Sequence, residues 1–280
     1  MMKTIAIYNR KGGVGKTTCT LNLSHELVRR GLVVLLLDLD GQCDLTTQCQ
    51  VQPGKPGGRP GNDILSVLKG QKKAGDVAVP VKGIPNLYLL PGHRKLEQFN
   101  FAYSQKVLLD RLQEPGLEEV DLVLVDFPSA ESPAVTCGLI AADYVLLVTE
   151  TERLSMDNVT HVLDYVTEVT ALKQRVTKDQ TTQVQTLAML ANKVDQRRNL
   201  TRKNLAELKS KYPDLLLENH LSINSGIVNS LEWQNSLRQL PYWPVTIRQF
   251  SEAATEILER LKQKGVTFID ETEIEEGIRE

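Results

Sequence analysis

The sequence has no run of eighteen apolar residues, so no segment can cross a membrane as a helix, and its amino end lacks the apolar core of a secretory signal. Its four cysteines, Cys19, Cys43, Cys49 and Cys137, include no C-x-x-C pair, which argues against a zinc site and for a reducing compartment. An excess of basic residues is missing as well. The formal net charge is −2 and the pI about 6.2, so any hold on nucleic acid must come from a local patch. A cytoplasmic protein is expected. With 280 residues the chain can bury a sizeable core, and one domain over residues 1–265 is expected, followed by an acidic tail over 266–280.

What is present centres on Asn9-Arg10-Lys11-Gly12-Gly13-Val14-Gly15-Lys16-Thr17-Thr18, directly after the apolar strand candidate Thr4–Tyr8. Only residues without a β-carbon let a main chain curl tightly enough to aim several N–H groups at one phosphate, and Gly12, Gly13 and Gly15 supply that freedom. A helix beginning near Lys16 adds its N-terminal amides, Lys16 adds a charge for the β and γ oxygens, and the Thr17 hydroxyl is placed to ligate Mg²⁺. The expected nucleotide-binding run is Lys11, Gly12, Gly13, Val14, Gly15, Lys16, Thr17 and Thr18. The strict phosphate-loop pattern wants Gly where Arg10 stands, so this is a variant loop. Two lysines five residues apart exceed what one triphosphate usually holds, which leaves Lys11 available for a different phosphate.

Apolar patterning supplies the scaffold. Leu21, Leu23, Leu27 and Val28 repeat at helical spacing, and Leu32–Leu37 is a continuous apolar run, the mark of a strand covered on both faces. Further strands are expected at Leu87–Leu90, Val120–Val125, Tyr144–Thr149 and Gln183–Leu190, with helices between them. The predicted class is α/β, a doubly wound, mostly parallel sheet with helices on both faces, of the P-loop NTPase type. Ligands of such sheets sit beyond the carboxyl ends of the strands, where Asp38 and Asp40 follow one strand and Asp126 another. A carboxylate in the position of Asp126 is what phosphate-loop enzymes use to hold Mg²⁺. Val51–Asn62 carries seven Pro or Gly in twelve residues and reads as a loop.

Asn192-Lys193-Val194-Asp195 follows the last strand, where many GTPases read guanine. Seven basic residues then fall between Lys193 and Lys211, with Leu200, Leu205 and Leu208 expected on the buried side of their helix. The charged face is either an ordinary solvated surface or a sequence-independent contact with DNA phosphates. Thr246–Gln249 reads as a capping box opening the final helix.

The loop with its extra Lys11 resembles that of the ParA/MinD family of deviant-Walker ATPases, closest to the ParA type, and the resemblance runs from Lys3 to about Leu261. It implies an ATP-sandwiched homodimer in which Lys11 reaches the partner's nucleotide and stabilises transition-state charge, with ATP and Mg²⁺ as cofactors. By the same resemblance Lys11, Lys16 and Asp40 are catalytic, Asp40 orienting water. Thr17, Asp38 and Asp126 surround the metal, and Asn192 and Asp195 meet the base, with adenine favoured over guanine. Asp195–Leu200 is similar to the family's Asp-x-Arg-x-Asn-Leu segment, implying DNA contact by Arg197, with Arg198, Arg202 and Lys203 beside it. Ser222–Ser230 lacks both arginines of the family's next segment, and the family usually has Pro at Gly41, Asn at Asp44 and Pro at Ser129. The acidic tail is the opposite of a membrane-targeting helix. The implied function is partition of a plasmid, chromosome or other cargo on the nucleoid, with a ParB-like or other adaptor protein stimulating hydrolysis. Two rivals remain, a nucleotide-gated cargo-positioning protein that never touches DNA and a GTP-dependent targeting factor.

Overall fold

The computed structural model describes residues 2–51, 61–101, 104–223 and 244–268. Most of the Val51–Asn62 loop, Asn224–Ser230 of the Ser222–Ser230 segment, and the acidic tail beyond Phe268 lie outside the described residues.

Strands β1 (Lys3–Tyr8), β2 (Val34–Asp38), β3 (Val79–Pro80), β4 (Leu87–Leu90), β5 (Leu122–Asp126), β6 (Tyr144–Glu150) and β7 (Gln185–Asn192) form one sheet in the order β3-β4-β2-β5-β1-β6-β7. Every pairing is parallel except that of the short edge strand β3 with β4. Side chains alternate across the sheet, so β1 sends Ile5 and Ile7 to one face and Ala6 and Tyr8 to the other. On the first face the core closes against α1 (Lys16–Val28), α2 (Asp44–Gln48) and, late in the chain, α9 (Pro244–Gln263). On the second it closes against α3 (Ile64–Leu68), α4 (Ala74–Val77), α5 (Val107–Leu112), α6 (Pro133–Ala141), α7 (Arg153–Thr177) and α8 (Asn199–Lys211). This is the doubly wound, mostly parallel sheet expected from the apolar runs. Strand β1 lies inside the sheet, flanked by β5 and β6, so the loop after β1 emerges between the ends of those two strands.

Two local expectations are corrected. Leu200 is 64% exposed, because the buried stripe of α8 runs through Thr201, Asn204 and Leu208, one position round the helix from it. The final helix starts at Pro244 rather than being capped at Thr246, which lies buried within its first turn. Proline at the first helical position costs no hydrogen bond and brings its φ preset.

Candidate active site at the carboxyl ends of the strands

Asn9 sets the course of the loop. Its buried amide donates to the Val148 carbonyl (2.7 Å), while its Oδ1 accepts from the Lys11 N–H and from the Asn158 amide, both at 2.9 Å. Gly13 (φ 73°) and Gly15 (φ 94°) take left-handed conformations, and a β-carbon at Gly15 would collide with the Asn192 amide. Gly15 is the N-cap of α1 and no side chain caps that end, so its first amides are available to an anion. Lys16 is buried beneath the loop, its Nζ donating to the Lys11 carbonyl at 3.3 Å. Burial lowers its pKa, and Asp126 and Asp40 oppose that effect.

A pocket of about 600 Å³ opens over this loop. The sheet order decides its polarity: Asp40, Asp44, Gln48, Phe127 and Ser129 wall it beyond β2 and β5, and Asn192, Lys193 and Ile223 wall it on the β7 side. Ser129, which stands where the family's second proline would be, has its Oγ 3.4 Å from where a Gly12 β-carbon would lie.

Asp38 and Asp126 are register partners on β2 and β5, and both are fully buried. Their environments differ. Asp38 Oδ2 accepts from the Thr46 N–H (2.9 Å) and hydroxyl (2.6 Å), and its Oδ1 accepts from the Asp40 N–H (3.1 Å). Burial pushes its carboxyl up to about 6 in spite of those bonds. Asp38 thus braces α2 and the Asp40 segment, and Asp40 itself opens onto the pocket. Neither oxygen of Asp126 has a hydrogen-bond partner among the described residues. Burial, then the Asp38 charge, hold its carboxyl well above the usual range, with Thr17 and Lys16 offsetting only part. A buried carboxylate with no well-formed hydrogen bond is what a hard divalent cation satisfies, and Asp126 with the nearby Thr17 hydroxyl fits Mg²⁺. Asp126→Asn is therefore expected to stabilise the nucleotide-free protein by about 1–3 kcal/mol, seen as a higher urea midpoint, because it removes an uncompensated buried charge. An unchanged or lower midpoint would contradict that.

Lys11 does not line the pocket. Its ammonium lies 2.6 Å from Glu150 and 2.9 Å from Glu152, at and just beyond the end of β6. Glu150 also holds Lys193 (2.9 Å), whose Nζ donates in turn to the Gly13 carbonyl. Asn192 donates to the Val14 carbonyl (2.7 Å) and accepts from the Lys193 N–H (2.8 Å), so its amide fastens the loop. Asp195 is turned to Arg197, with Nε at 2.8 Å and Nη2 at 3.2 Å. Of the two residues expected at the base, Asn192 lines the pocket and Asp195 is engaged by the arginine.

A family model described as an AAA domain matches residues 2–179. The chromosome-partitioning ATPase Soj of Thermus thermophilus is 34% identical over 172 residues, which cover 61% of this chain and 64% of Soj. This chain belongs to the ParA/MinD family of P-loop ATPases. It is an ATPase by that membership. Protein IncC of Escherichia coli is similar over more of the chain, 26% identical across 91% of it and 67% of IncC. The fold is that of apo McdA from Cyanothece, with a TM-score of 0.75 at 23% identity, covering 92% of this chain and all of McdA.

In this ParA/MinD-type chain the four basic residues singled out for DNA, Arg197, Arg198, Arg202 and Lys203, are all exposed at the start of α8. Arg197 is neutralised by Asp195, and Arg202 donates to Asn199. No described helix is long and apolar enough to cross a membrane. The residues that sequence reasoning passed over are Asn9 as loop anchor, Thr46 as the brace of Asp38, Gln48 and Ile223 as pocket walls, and Glu150 with Glu152 as the counter-charges of Lys11. A signal existed for the last pair: Glu150-x-Glu152 ends one strand as Asp38-x-Asp40 ends another.

Proposed function

We propose that this ParA-like ATPase closes into a dimer around two ATP molecules, binds DNA without sequence preference in that state, and hydrolyses ATP when an adaptor protein engages it to move a large cargo. Bound ATP with Mg²⁺ would supply the γ-phosphorus and screen its charge. Lys16 and the loop amides hold the phosphates, Thr17 and Asp126 hold the metal, and Asp40 orients the attacking water and accepts its proton. Glycine curl, Lys16, Thr17 and the Asp40 carboxylate line one pocket, in keeping with those roles.

The observation that supports the dimer best is the position of Lys11. Its ammonium is drawn out of its own cradle to the rim at Glu150 and Glu152, where it can be surrendered to a second protomer's phosphates. Lys11→Ala is expected to keep nucleotide binding within about threefold while losing ATP-dependent dimerisation or stimulated turnover by about tenfold or more, the scale of one charge-assisted contact. Sedimentation with a non-hydrolysable ATP analogue and steady-state hydrolysis check it. Full dimerisation with full stimulation would remove the trans lysine.

For DNA, the exposed group at the head of α8 supports a purely electrostatic contact. Retardation of nonspecific duplex should require ATP and weaken steeply with salt. Each phosphate-contacting residue deleted, counted twice in a dimer, should reduce the slope of log K against log salt by about 1.8. Lys203→Ala is the informative variant, since Arg197 is already paired in its own chain. That same pairing favours the second reading, a cargo-positioning ATPase that never touches DNA, for which duplex binding would be absent at every salt concentration. The engagement of Asp195 by Arg197 weighs against a guanine-reading site, and competition of ATP against GTP tests that.

A further inference from the structure

The two segments that wall the reacting side of the nucleotide pocket have a second face. After β2, Asp40 opens on the nucleotide pocket, while its neighbours Leu39 and Gly41 line a separate cavity. After β5 the same alternation recurs: Phe127 and Ser129 face the nucleotide, and Pro128 and Ala130 face the second cavity. That cavity measures about 290 Å³ and is completed by Leu96, Glu97, Phe99, Phe101 and the first turn of α6. Phe99 and Phe101 meet edge to face at 4.8 Å, giving it an aromatic wall. Behind both segments, Gly138 of α6 leaves room for Phe127 and Leu39 to seat together against one helix.

Among the described residues Glu97 is the one charged residue lining the cavity, and it is exposed. Its carboxylate forms no ion pair with any described residue, and its side chain lies 3.5 Å from where a Gly41 β-carbon would be. We propose that this cavity is a docking site for a protein partner that inserts one bulky apolar side chain, with an adjacent basic residue meeting Glu97, and that occupancy is transmitted to the hydrolytic site. The volume is at the small end of ligand pockets, matched to a single aromatic side chain rather than a cofactor. The apolar walls supply the anchor, and the rim carboxylate supplies complementarity to a cation.

Transmission needs no long path, because each wall residue is covalently next to one that faces the nucleotide. An inserted ring that shifts Leu39, Gly41, Pro128 or Ala130 displaces Asp40 and Ser129 with them. This coupling rests on the hydrolytic role given to Asp40 above. By linkage, nucleotide must change the partner's affinity by the same factor that the partner changes the nucleotide's.

The test uses the full chain and a short probe, acetyl-Phe-Arg-amide, with acetyl-Ala-Arg-amide and acetyl-Phe-Glu-amide as controls, followed by methyl NMR at Leu39, Leu96, Ala130 and Ala134. Saturable binding is expected, at least tenfold weaker for either control, and shifted at least threefold by a non-hydrolysable ATP analogue. Glu97→Lys should reverse the preference in favour of acetyl-Phe-Glu-amide. Ala130→Trp, a change at an exposed position of the cavity mouth, should block the probe in a chain that circular dichroism shows to be folded. Failure to saturate, equal binding of the three peptides, an unchanged preference in Glu97→Lys, or indifference to nucleotide would each overturn the proposal. Failure of the Asp40 assignment is separable: Asp40→Ala would then hydrolyse ATP normally while the probe still bound.

Discussion

Replacing Asp40 by alanine is expected to slow ATP hydrolysis by about a hundredfold or more, the usual contribution of a positioned general base, while ATP affinity stays within about threefold. Asp40 is a half-buried carboxylate that opens onto the pocket; one of its oxygens accepts from the Gln42 N–H at 2.9 Å. Burial raises its pKa, the charges of Asp44 and Glu97 add to that, and Lys16 and the Gln42 bond oppose it. A raised pKa makes a better proton acceptor near neutrality. It also means that the ionised form is lost as pH falls through a value above the ordinary 3.9 or so, so hydrolysis should decline on acidification earlier than for an unperturbed aspartate. Single-turnover kinetics across pH, with sedimentation to detect an accumulated ATP-bound dimer, measure both effects. Unchanged turnover in Asp40→Ala would take the residue out of the mechanism.

Lys16→Ala is expected to weaken ATP binding by about 10- to 150-fold, the loss of one charge-assisted contact worth about 1.5–3 kcal/mol. Among the described residues the ammonium is the one positive group buried among Asp126, Asp40 and the loop amides, so its loss also leaves those carboxylates with less to offset them. Titration with a fluorescent ATP analogue reads the affinity, and a denaturation curve confirms that the variant is folded. Normal affinity in a folded Lys16→Ala protein would mean that the glycine curl does not hold the triphosphate.

The loop and the strand-end acids could be read directly because their chemistry is contiguous. Gly12, Gly13, Gly15, Lys16 and Thr17 act through one turn of chain, and Asp38, Asp40 and Asp126 each end an apolar run that can only be a covered strand. The same logic failed where burial depends on what lies opposite. Leucines at helical spacing mark an apolar face, yet the face of α8 that docks was chosen by Thr201, Asn204 and Leu208, with the Asn204 amide donating to the Thr151 carbonyl at 2.6 Å. Edge strand β3, two residues long, and α2, five residues long, are too short to carry a period. The attachment of α9 to α1 is also unreadable in one dimension, since Arg30, which looks like a helix-ending charge, keeps Nη1 on Glu26 of α1 and sends Nη2 to Ser251 and Thr255.

From its order of residues alone this chain determined a phosphate-gripping turn, a covered parallel sheet and a set of acids at the strand ends, because each depends on neighbours along the backbone. Which acid is braced and which left bare, where Lys11 rests, and that two loops share a second cavity were decided only on folding. Those outcomes hang on partners such as Thr46, Glu150 and Phe99, which are remote in sequence or lie on other elements, and Coulomb and packing forces act through space rather than along the chain.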